Sequence, residues 1–206
     1  MLDFYYASGT VALAVHIALE DAGADYRGIG VDFSTTMQRS AEYLKMNPKG
    51  RVPVLVTDEG ILTETPAMLA YVAQRYPKAK LMPVDDPFAF AQIQAVNSYL
   101  CSTLHVAHAH RVRGARWVDA ESAIEEMKRK APQVISECFA YVENELLKGP
   151  YVMGDTYTIA DPYLFTVAQW MEGDSVDTTK LPKIMAHRAM MMGRNSVKQA
   201  LAEEAL

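Results

Sequence analysis

The spacing of apolar and polar residues changes character near residue 80. Before that point, short runs typical of β-strands alternate with helical patterns. The pattern predicts, in order, a strand at Leu2–Tyr6, a helix at Ala12–Asp21, a strand at Tyr26–Phe33, a helical stretch at Met37–Leu44, strands at Val52–Thr57 and Gly60–Thr63, and a helix at Thr65–Tyr76. The first strand pair needs a right-handed crossover, and Asp58-Glu59-Gly60 is a hairpin signal, so we predict a mixed α/β domain of order βαβαββα.

Beyond residue 80 only helical patterns remain. The stretch 81–87, with Pro83 and Pro87 around two aspartates, is typical of a linker. We therefore predict an α/β domain at 1–80, a linker at 81–87 and an all-α domain at 88–206. Its predicted helices lie at about 88–113, 120–147, 159–171, 181–189 and 197–204. Pro132 is expected to bend or split the second of them.

Composition narrows the class of protein. Half of the 206 residues are apolar, which is ample for packed cores, and 25 acidic against 20 basic residues give a net charge of −5. We therefore expect no nucleic-acid or membrane partner. The first residues lack the pattern of a signal peptide, and Cys101 and Cys138 form no metal or redox spacing, so we expect a cytoplasmic protein.

The segment NPKGRVPVL, residues 47–55, places a proline at the head of a predicted strand. Proline is tolerated there because it sits at the strand's first position. An ordinary trans bond and a cis Val52–Pro53 bond both fit the sequence, and the cis bond would turn the Val52 N–H and C=O outward. An extended peptide would then pair with Val52 as an added strand.

The segment LTETPAML, residues 62–69, places Glu64 and Thr65 at the start of a helix with Pro66 in its first turn. Free N–H groups at a helix start attract a carboxylate, and Glu64 can pair with an ammonium group. Together they suit the amino-acid end of a γ-glutamyl peptide. The alternative is that Thr65 simply caps the helix.

NPKGRVPVL, with ETPAML nine residues further on, resembles the glutathione-binding half of the cytosolic glutathione transferase family. The opening YYASGTVALAVHIALE, residues 5–20, is similar to the bacterial beta-class branch, and YTIADPY, residues 157–163, resembles the family's helix-capping signature. In that signature we expect Thr158 to accept from the Asp161 N–H while Asp161 reaches back to the Thr158 N–H. The resemblance covers nearly the whole chain.

The resemblance implies a thioredoxin-like N-terminal domain that binds glutathione as co-substrate. It implies that Val52, beside Pro53, bonds the cysteinyl backbone of glutathione, and that Glu64 with Thr65 holds the γ-glutamyl carboxylate and amine. The all-α domain would supply the pocket for a small, apolar electrophile. The resemblance also implies a homodimer.

The residue that would stabilise the glutathione thiolate departs from the beta-class pattern. Val11 occupies the place of the beta-class cysteine, and its side chain donates nothing. Lowering a thiol pKa by two units needs about 2.7 kcal/mol, which a hydroxyl donor at a helix start can supply. We expect Thr10 or Ser8 to be that donor, with Tyr6 or Tyr5 as further candidates. The alternative is that none of the four contacts sulfur.

A second candidate lies in the segment LHVAHAHRVR, residues 104–113. In beta-class proteins a His-Lys pair lines the active cleft at the place of His105-Val106; here the histidine matches and the lysine does not. His105 and His108 share a helix face, but the segment offers no carboxylate or thiol to complete a metal set, so we expect no metal.

The predicted function is that of a glutathione S-transferase, an enzyme that conjugates the glutathione thiolate to small electrophilic, largely apolar compounds. One alternative is another glutathione-dependent reaction, by an isomerase, dehalogenase or peroxidase. A further alternative is a non-catalytic, glutathione-binding stress-response partner. Exchange through a protein mixed disulfide is disfavoured because no cysteine stands at the first helix.

Overall fold

The computed structural model describes residues 1–205 and divides into two compact units. The first unit comprises Met1–Ala91 together with the C-terminal stretch from Met191 onward, and the second comprises Gln92–Met190. The C-terminal stretch therefore packs with the first unit rather than with the helices that precede it. The predicted boundaries at 1–80, 81–87 and 88–206 stay predictions.

A four-stranded sheet forms the first unit's framework, in the order β2-β1-β3-β4. The strands are β1 (Leu2–Tyr6), β2 (Tyr26–Gly30), β3 (Val54–Val56) and β4 (Ile61–Thr63). Strand β1 pairs parallel with β2 and antiparallel with β3, and β3 pairs antiparallel with β4. The predicted α/β fold class, with its mixed sheet, is confirmed.

Helices follow the predicted order closely. The first unit holds α1 (Ala12–Ala22), α2 (Ala41–Met46), α3 (Thr65–Arg75) and α9 (Asn195–Glu204). The remaining helices are α4 (Pro87–Tyr99), α5 (His105–Arg113), α6 (Glu121–Tyr141), α7 (Ala160–Ala168) and α8 (Pro182–Met192). The all-α character of the second half is confirmed. Within residues 1–205, none of the helices has the length and apolar character that a membrane span requires.

Helix α1 forms because its apolar run is rich in alanine and leucine, which favour a helix, and because the whole run can be buried. Every residue from Ala12 to Leu19 is buried, so the helix is covered on all sides for two turns. Gly23 ends it at φ 58°, a left-handed conformation that glycine adopts without strain, and its N–H bonds the Glu20 carbonyl. Helix α9 packs against α1 within the same unit.

Helix α7 is the buried centre of the second unit, since all nine of its residues are buried. The Asp161 carboxylate accepts from the Thr158 N–H at 2.7 Å, as predicted. The other half of the predicted capping box is wrong, because the Thr158 hydroxyl accepts from the Ala160 N–H at 3.3 Å instead of the Asp161 N–H. The Asp161 N–H donates to the Thr158 carbonyl at 3.0 Å instead. The Thr158 hydroxyl therefore accepts from the N–H of Ala160, the residue before Asp161.

Two features of the long helices differ from the sequence prediction. Of the two outcomes expected at Pro132, a bend or a split, the split is not observed, because α6 continues to Tyr141. Because proline has no N–H, the Lys128 carbonyl one turn earlier loses its partner in the helix, and water can reach it at this exposed position. Ile135 and Phe139 are buried and keep the following turns packed. A π-helical segment, Leu100–Leu104, joins α4 to α5 where one continuous helix was predicted.

Candidate functional site

The register of the sheet gathers the predicted cradle residues at one end of the first unit. Val54 is opposite Thr63, so continuing the same antiparallel register places Val52 opposite Thr65. Tyr5 is opposite Val54, so the same continuation along β1 places Ala7 opposite Val52. The chain leaving β1, the chain entering β3 and the start of α3 therefore meet at one edge.

The loop before β3 is held rigidly by Asn47, which is 1% exposed. Its amide donates to the Arg51 carbonyl at 2.7 Å and its Oδ1 accepts from the Lys49 N–H at 3.2 Å. The Tyr43 hydroxyl donates to the same Arg51 carbonyl at 2.8 Å. Burial raises the pKa of Tyr43 to about 12, so this donor keeps its proton across the neutral range.

Gly50 is required by its surroundings in this loop. Its φ is 58°, and a Cβ at this position would lie 2.9 Å from the Gln38 carbonyl oxygen. A larger residue would therefore combine backbone strain with a backbone clash. The loop's course into Val52 depends on this glycine.

The Val52–Pro53 bond is cis, so of the two bonds that fit the sequence the cis bond is the one observed. Within residues 1–205, neither the N–H nor the C=O of half-buried Val52 has a hydrogen-bond partner. An unpaired donor and acceptor on one residue at a strand entry are what an added extended peptide would use.

Glu64 stands at the start of α3 with φ 74° and ψ 117°, a conformation that a non-glycine residue adopts only at a cost of about 1–3 kcal/mol. Its carboxylate contacts the Lys49 ammonium at 2.5 Å, and that ammonium also donates to the Thr63 hydroxyl at 2.7 Å. A carboxylate that already holds a primary ammonium group is able to hold an amino-acid amine. The Lys49 Nζ atom stands in for that amine in this arrangement.

Thr65 begins α3 and is 4% exposed. No side chain caps this terminus among the described residues, so the simple capping role for Thr65 is not observed. The N–H groups of Thr65 and Ala67 have no partner within residues 1–205. These free donors, next to the positive end of the helix dipole, favour a carboxylate.

The turn between β1 and α1 carries the candidate sulfur donors. The Thr10 hydroxyl donates to the Ala7 carbonyl at 2.7 Å and accepts from the Ala12 N–H at 3.3 Å, so its proton is committed to the turn. Ser8 is exposed, and its hydroxyl makes no hydrogen bond to the described part of the chain. The Val11 N–H at the helix start is likewise without a partner among residues 1–205. The sequence prediction overlooked this backbone donor because it considered only the Val11 side chain.

The two strand tyrosines are both engaged inside the first unit. The Tyr6 hydroxyl donates to the Glu203 carbonyl at 3.1 Å, and its ring lies 5.1 Å from that of His16. Tyr5 points to the opposite sheet face, where its ring lies 6.1 Å from that of Tyr43. Burial, followed by the charges of Glu204 and Glu203, raises the pKa of Tyr6.

A histidine–carboxylate network ties the C-terminal helix to this turn. His16 is fully buried; its Nδ1 lies 3.2 Å from a Glu204 carboxylate oxygen and its Nε2 3.0 Å from one of Glu203. The Glu204 carboxylate also accepts from the Gly9 N–H, in the turn that holds Ser8. No short sequence motif marks this network, because it joins residues from opposite ends of the chain.

Burial and hydrogen bonding shift the pKa values of the two glutamates in this network in opposite directions. Burial raises the pKa of Glu204 above its ordinary value, against the lowering effect of His16. Burial also acts on Glu203, but hydrogen bonds from Gln199 and His16 outweigh it and lower its pKa. Tyr26 donates to both Glu20 and Glu203, and burial together with these carboxylates raises its pKa.

Ligand atoms of His16, Glu20 and Glu203 lie within 4.8 Å of one another, close enough to share a cation. The hydrogen bonds of Tyr26 to both carboxylates and the contact of His16 with Glu203 already occupy these atoms. These hydrogen bonds are sufficient reason for the three side chains to lie together in a packed polar network.

His105 lies in the second unit, at the point where the π-helical segment passes into α5. Its ring is 5.1 Å from that of Trp170, and the His108 ring stacks on the same tryptophan at 4.4 Å. His108 Nδ1 lies 2.7 Å from the buried Asp174 carboxylate. The structure thus brings His105 together with His108 and Trp170 inside one unit.

Comparison with known proteins identifies the family. The model of the glutathione S-transferase N-terminal domain matches residues 3–74, and that of the glutathione S-transferase C-terminal domain matches residues 105–195. The chain is 31% identical to glutathione S-transferase GstA of Escherichia coli O157:H7 over the full length of both proteins. The chain belongs to the glutathione S-transferase family.

Two solved structures show which members of the family this chain resembles. A glutathione transferase homologue from Sulfitobacter with bound glutathione is 46% identical, with a TM-score of 0.96 over 100% of this chain and 99% of that one. A bacterial beta class glutathione S-transferase of Sphingomonas chungbukensis is 30% identical, with a TM-score of 0.86 over 99% of both chains. The predicted kinship with bacterial beta-class proteins is confirmed.

Proposed function

We propose that this protein binds glutathione at the end of its sheet and conjugates the glutathione thiolate to small, largely apolar electrophiles. The observation that carries the proposal is that the sheet register gathers groups of complementary kinds at one end of the unit. These are the Val52 N–H and C=O for a peptide backbone, the free N–H groups of Thr65 and Ala67 for a carboxylate, and the Glu64 carboxylate for an amine.

In this proposal Val52 pairs with the cysteinyl residue of glutathione, and Pro53 directs the Val52 backbone toward it. The γ-glutamyl carboxylate accepts from the start of α3. The γ-glutamyl amine takes the place that the Lys49 ammonium now holds against Glu64. The positive φ of Glu64 supports the proposal, since backbone strain of this kind is concentrated at binding sites.

The cysteine sulfur would then lie over the turn that follows β1. We assign the Ser8 hydroxyl and the Val11 N–H as its donors, because both are without partners within residues 1–205. The Thr10 hydroxyl would act indirectly, by fixing the turn through Ala7 and Ala12. Tyr6 would support the turn through its bond to Glu203 rather than donate to sulfur.

The second substrate, the location and the assembly belong to the same proposal. Family membership supports a cytoplasmic homodimer whose helical half, including His105, receives the apolar electrophile. No metal is needed, because hydrogen-bond donors at a helix start supply the stabilisation of the thiolate. Isomerisation or dehalogenation would use the same thiolate, whereas a reductase cycle through a mixed disulfide would lack its cysteine at the turn.

Calorimetric titration with glutathione tests the cradle. Glu64→Gln keeps the size of the side chain but removes the charge that pairs with the amine, so we expect the dissociation constant to rise by about tenfold or more. Glu59→Gln is the matched control, because Glu59 is exposed in the hairpin turn and should leave affinity unchanged.

A turnover assay completes this experiment. Turnover of a chloronitrobenzene above the buffer rate separates the transferase from a non-catalytic binding protein. Affinity that is equal in wild type, Glu64→Gln and Glu59→Gln would overturn the proposed cradle.

A further inference from the structure

A histidine–aspartate pair lies inside the second unit. His108 belongs to α5, and Asp174 follows the end of α7. The His108 Nδ1 atom lies 2.7 Å from the Asp174 carboxylate, whose side chain is 2% exposed. A buried carboxylate at this distance accepts a hydrogen bond from Nδ1–H and so holds the imidazole in one orientation and one tautomer.

Arg111 contacts the other side of the same carboxylate. Its Nη1 atom lies 3.4 Å from the second Asp174 oxygen and also donates to the Gly173 carbonyl. Because the guanidinium is permanently positive, it balances the charge of Asp174, and a neutral His108 is sufficient to satisfy the remaining oxygen.

The second ring nitrogen of His108 is therefore a hydrogen-bond acceptor. A neutral imidazole with its proton on Nδ1 has a lone pair on Nε2. Within residues 1–205 this Nε2 atom makes no hydrogen bond, and the His108 side chain is 19% exposed. The acceptor is available to a ligand that carries a donor.

Two further aromatic rings lie beside His108. Trp170 stacks on the imidazole, with ring centres 4.4 Å apart and planes inclined by 23°, and the His105 ring lies 5.1 Å from the same tryptophan. The Asp174 N–H donates to the Trp170 carbonyl at 2.8 Å, which fixes the aspartate to the turn that carries the tryptophan. A planar aromatic ligand gains dispersion contacts from such rings.

We propose that His108 determines specificity for the second substrate and selects aromatic electrophiles that carry a hydroxyl group. The rings of Trp170 and His105 would contact the aromatic body, and the substrate hydroxyl would donate to His108 Nε2. Asp174 is a positioning residue, because it acts on the substrate only through the tautomer of His108. The proposal rests on the proposed function, in which the helical half receives the electrophile.

A matched pair of chloronitrobenzenes tests the hydroxyl. One carries a hydroxymethyl group para to the chlorine, and the other is its methyl ether, which cannot donate a hydrogen bond. Binding is measured without glutathione by quenching of Trp170 fluorescence in a Trp117→Phe background, which leaves Trp170 as the one tryptophan of the chain. We expect the alcohol to bind about three- to tenfold more tightly than the ether. Equal affinities would overturn the proposal.

Two variants separate the acceptor from the residue that positions it. His108→Asn keeps an amide donor for Asp174 but has no second ring nitrogen, so the alcohol should lose its advantage. Asp174→Asn should turn its amide oxygen toward Arg111 and its NH₂ toward His108, which moves the imidazole proton to Nε2. The ether should then bind about threefold more tightly than it binds to the wild type, because Nε2 has become a donor.

The control for these variants is His110→Asn, on the same helix but with its ring against residue 117, and it should keep the wild-type preference. Circular dichroism establishes folding, and His108→Asn decides alone if Asp174→Asn does not fold. A preference for the alcohol that persists in folded His108→Asn would overturn the assignment. Equal weakening of both compounds by folded Asp174→Asn would show a merely structural role for the aspartate and overturn its assignment as a positioning residue.

Turnover at saturating glutathione distinguishes this proposal from the proposed function. In the wild type, kcat/KM should favour the alcohol by about the same factor as binding does, and His108→Asn should abolish that preference. Preferential binding of the alcohol without turnover of either compound would support the site and overturn the transferase reaction alone. Turnover of both compounds with equal kcat/KM and equal affinity would overturn the role of His108 alone.

Discussion

Ser8 and Thr10 lie in the same turn after β1, but their hydroxyl groups have different partners. Thr10 uses its proton on the Ala7 carbonyl, whereas the Ser8 hydroxyl is exposed and makes no bond to the described part of the chain. The sequence predicted both as candidate donors because it shows residue type and spacing but not which hydroxyl the backbone consumes. For the same reason the sequence did not indicate the Val11 N–H as a candidate donor.

Replacing these two residues should separate a sulfur donor from a residue that holds the turn. Ser8→Ala should lower kcat/KM by about 10- to 100-fold, the value of a hydrogen bond to a charged group, with little change in stability. Thr10→Ala should lower the free energy of unfolding by about 1 kcal/mol and affect turnover less. Steady-state kinetics and urea unfolding measure both effects, and a larger kinetic effect from Thr10→Ala would contradict the assignment.

Tyr43 gives a pH dependence at the residue scale. Burial raises its pKa from 10.0 to about 12, so the folded protein keeps this proton to higher pH than the unfolded chain. Its contribution to stability is therefore full below pH 10 and is lost as pH rises toward 12.

We expect the free energy of unfolding of the wild type to fall more steeply in that window than that of Tyr43→Phe, by up to about 1.4 kcal/mol per pH unit. Denaturant titrations at several pH values measure the slopes. Tyr141→Phe, at an exposed position, is the control and should follow the wild type. Parallel slopes in wild type and Tyr43→Phe would show that the hydroxyl titrates alike in both states.

At the scale of elements, periodicity predicted strands and helices well because each has one clear packing environment. The run from Ala12 to Leu19 is apolar and is buried throughout. Hydrogen-bond details at helix ends were harder to predict. Thr158 was expected to accept from the Asp161 N–H but accepts from that of Ala160, a difference of one residue that depends on exact backbone geometry.

Asp161 supports the entry to α7 from inside the core. Its carboxylate accepts from the Val152 N–H at 2.8 Å and the Thr158 N–H at 2.7 Å, and lies 3.1 Å from His187 Nε2. Asp161→Ala would leave these buried groups unpaired, so we expect a loss of about 3 kcal/mol in the free energy of unfolding. Asp85→Ala, at an exposed position outside the helices and strands, is the control and should have little effect. Similar losses in both variants by urea unfolding would contradict this account.

At the scale of the whole molecule, the end of the chain belongs to the glutathione-binding unit. Helix α9 packs on α1 and brings Glu204 to the Gly9 N–H and to His16. The sequence placed residues 88–206 in one helical domain, and no local pattern could reveal this return. The cradle residues stay a prediction of the sequence, which could propose them because they lie in short segments whose register the hairpin fixes.

Glu204→Ala tests this link across the chain. It removes a partner from buried His16 and from the Gly9 N–H, so we expect the free energy of unfolding to fall by about 1–3 kcal/mol. Turnover should fall as well, because the turn that carries Ser8 loses its anchor. Thermal unfolding and steady-state kinetics measure these effects, and an unchanged melting temperature together with unchanged turnover would contradict the link.

The central claim is that one end of the sheet binds glutathione and stabilises its thiolate. The most direct measurement is a pH titration of the thiolate absorbance of glutathione bound to the wild-type protein. The account predicts an apparent pKa about two units below the ordinary thiol value of about 8.5, with Ser8→Ala shifting it back toward that value. A bound thiol that titrates with the pKa of free glutathione would contradict it.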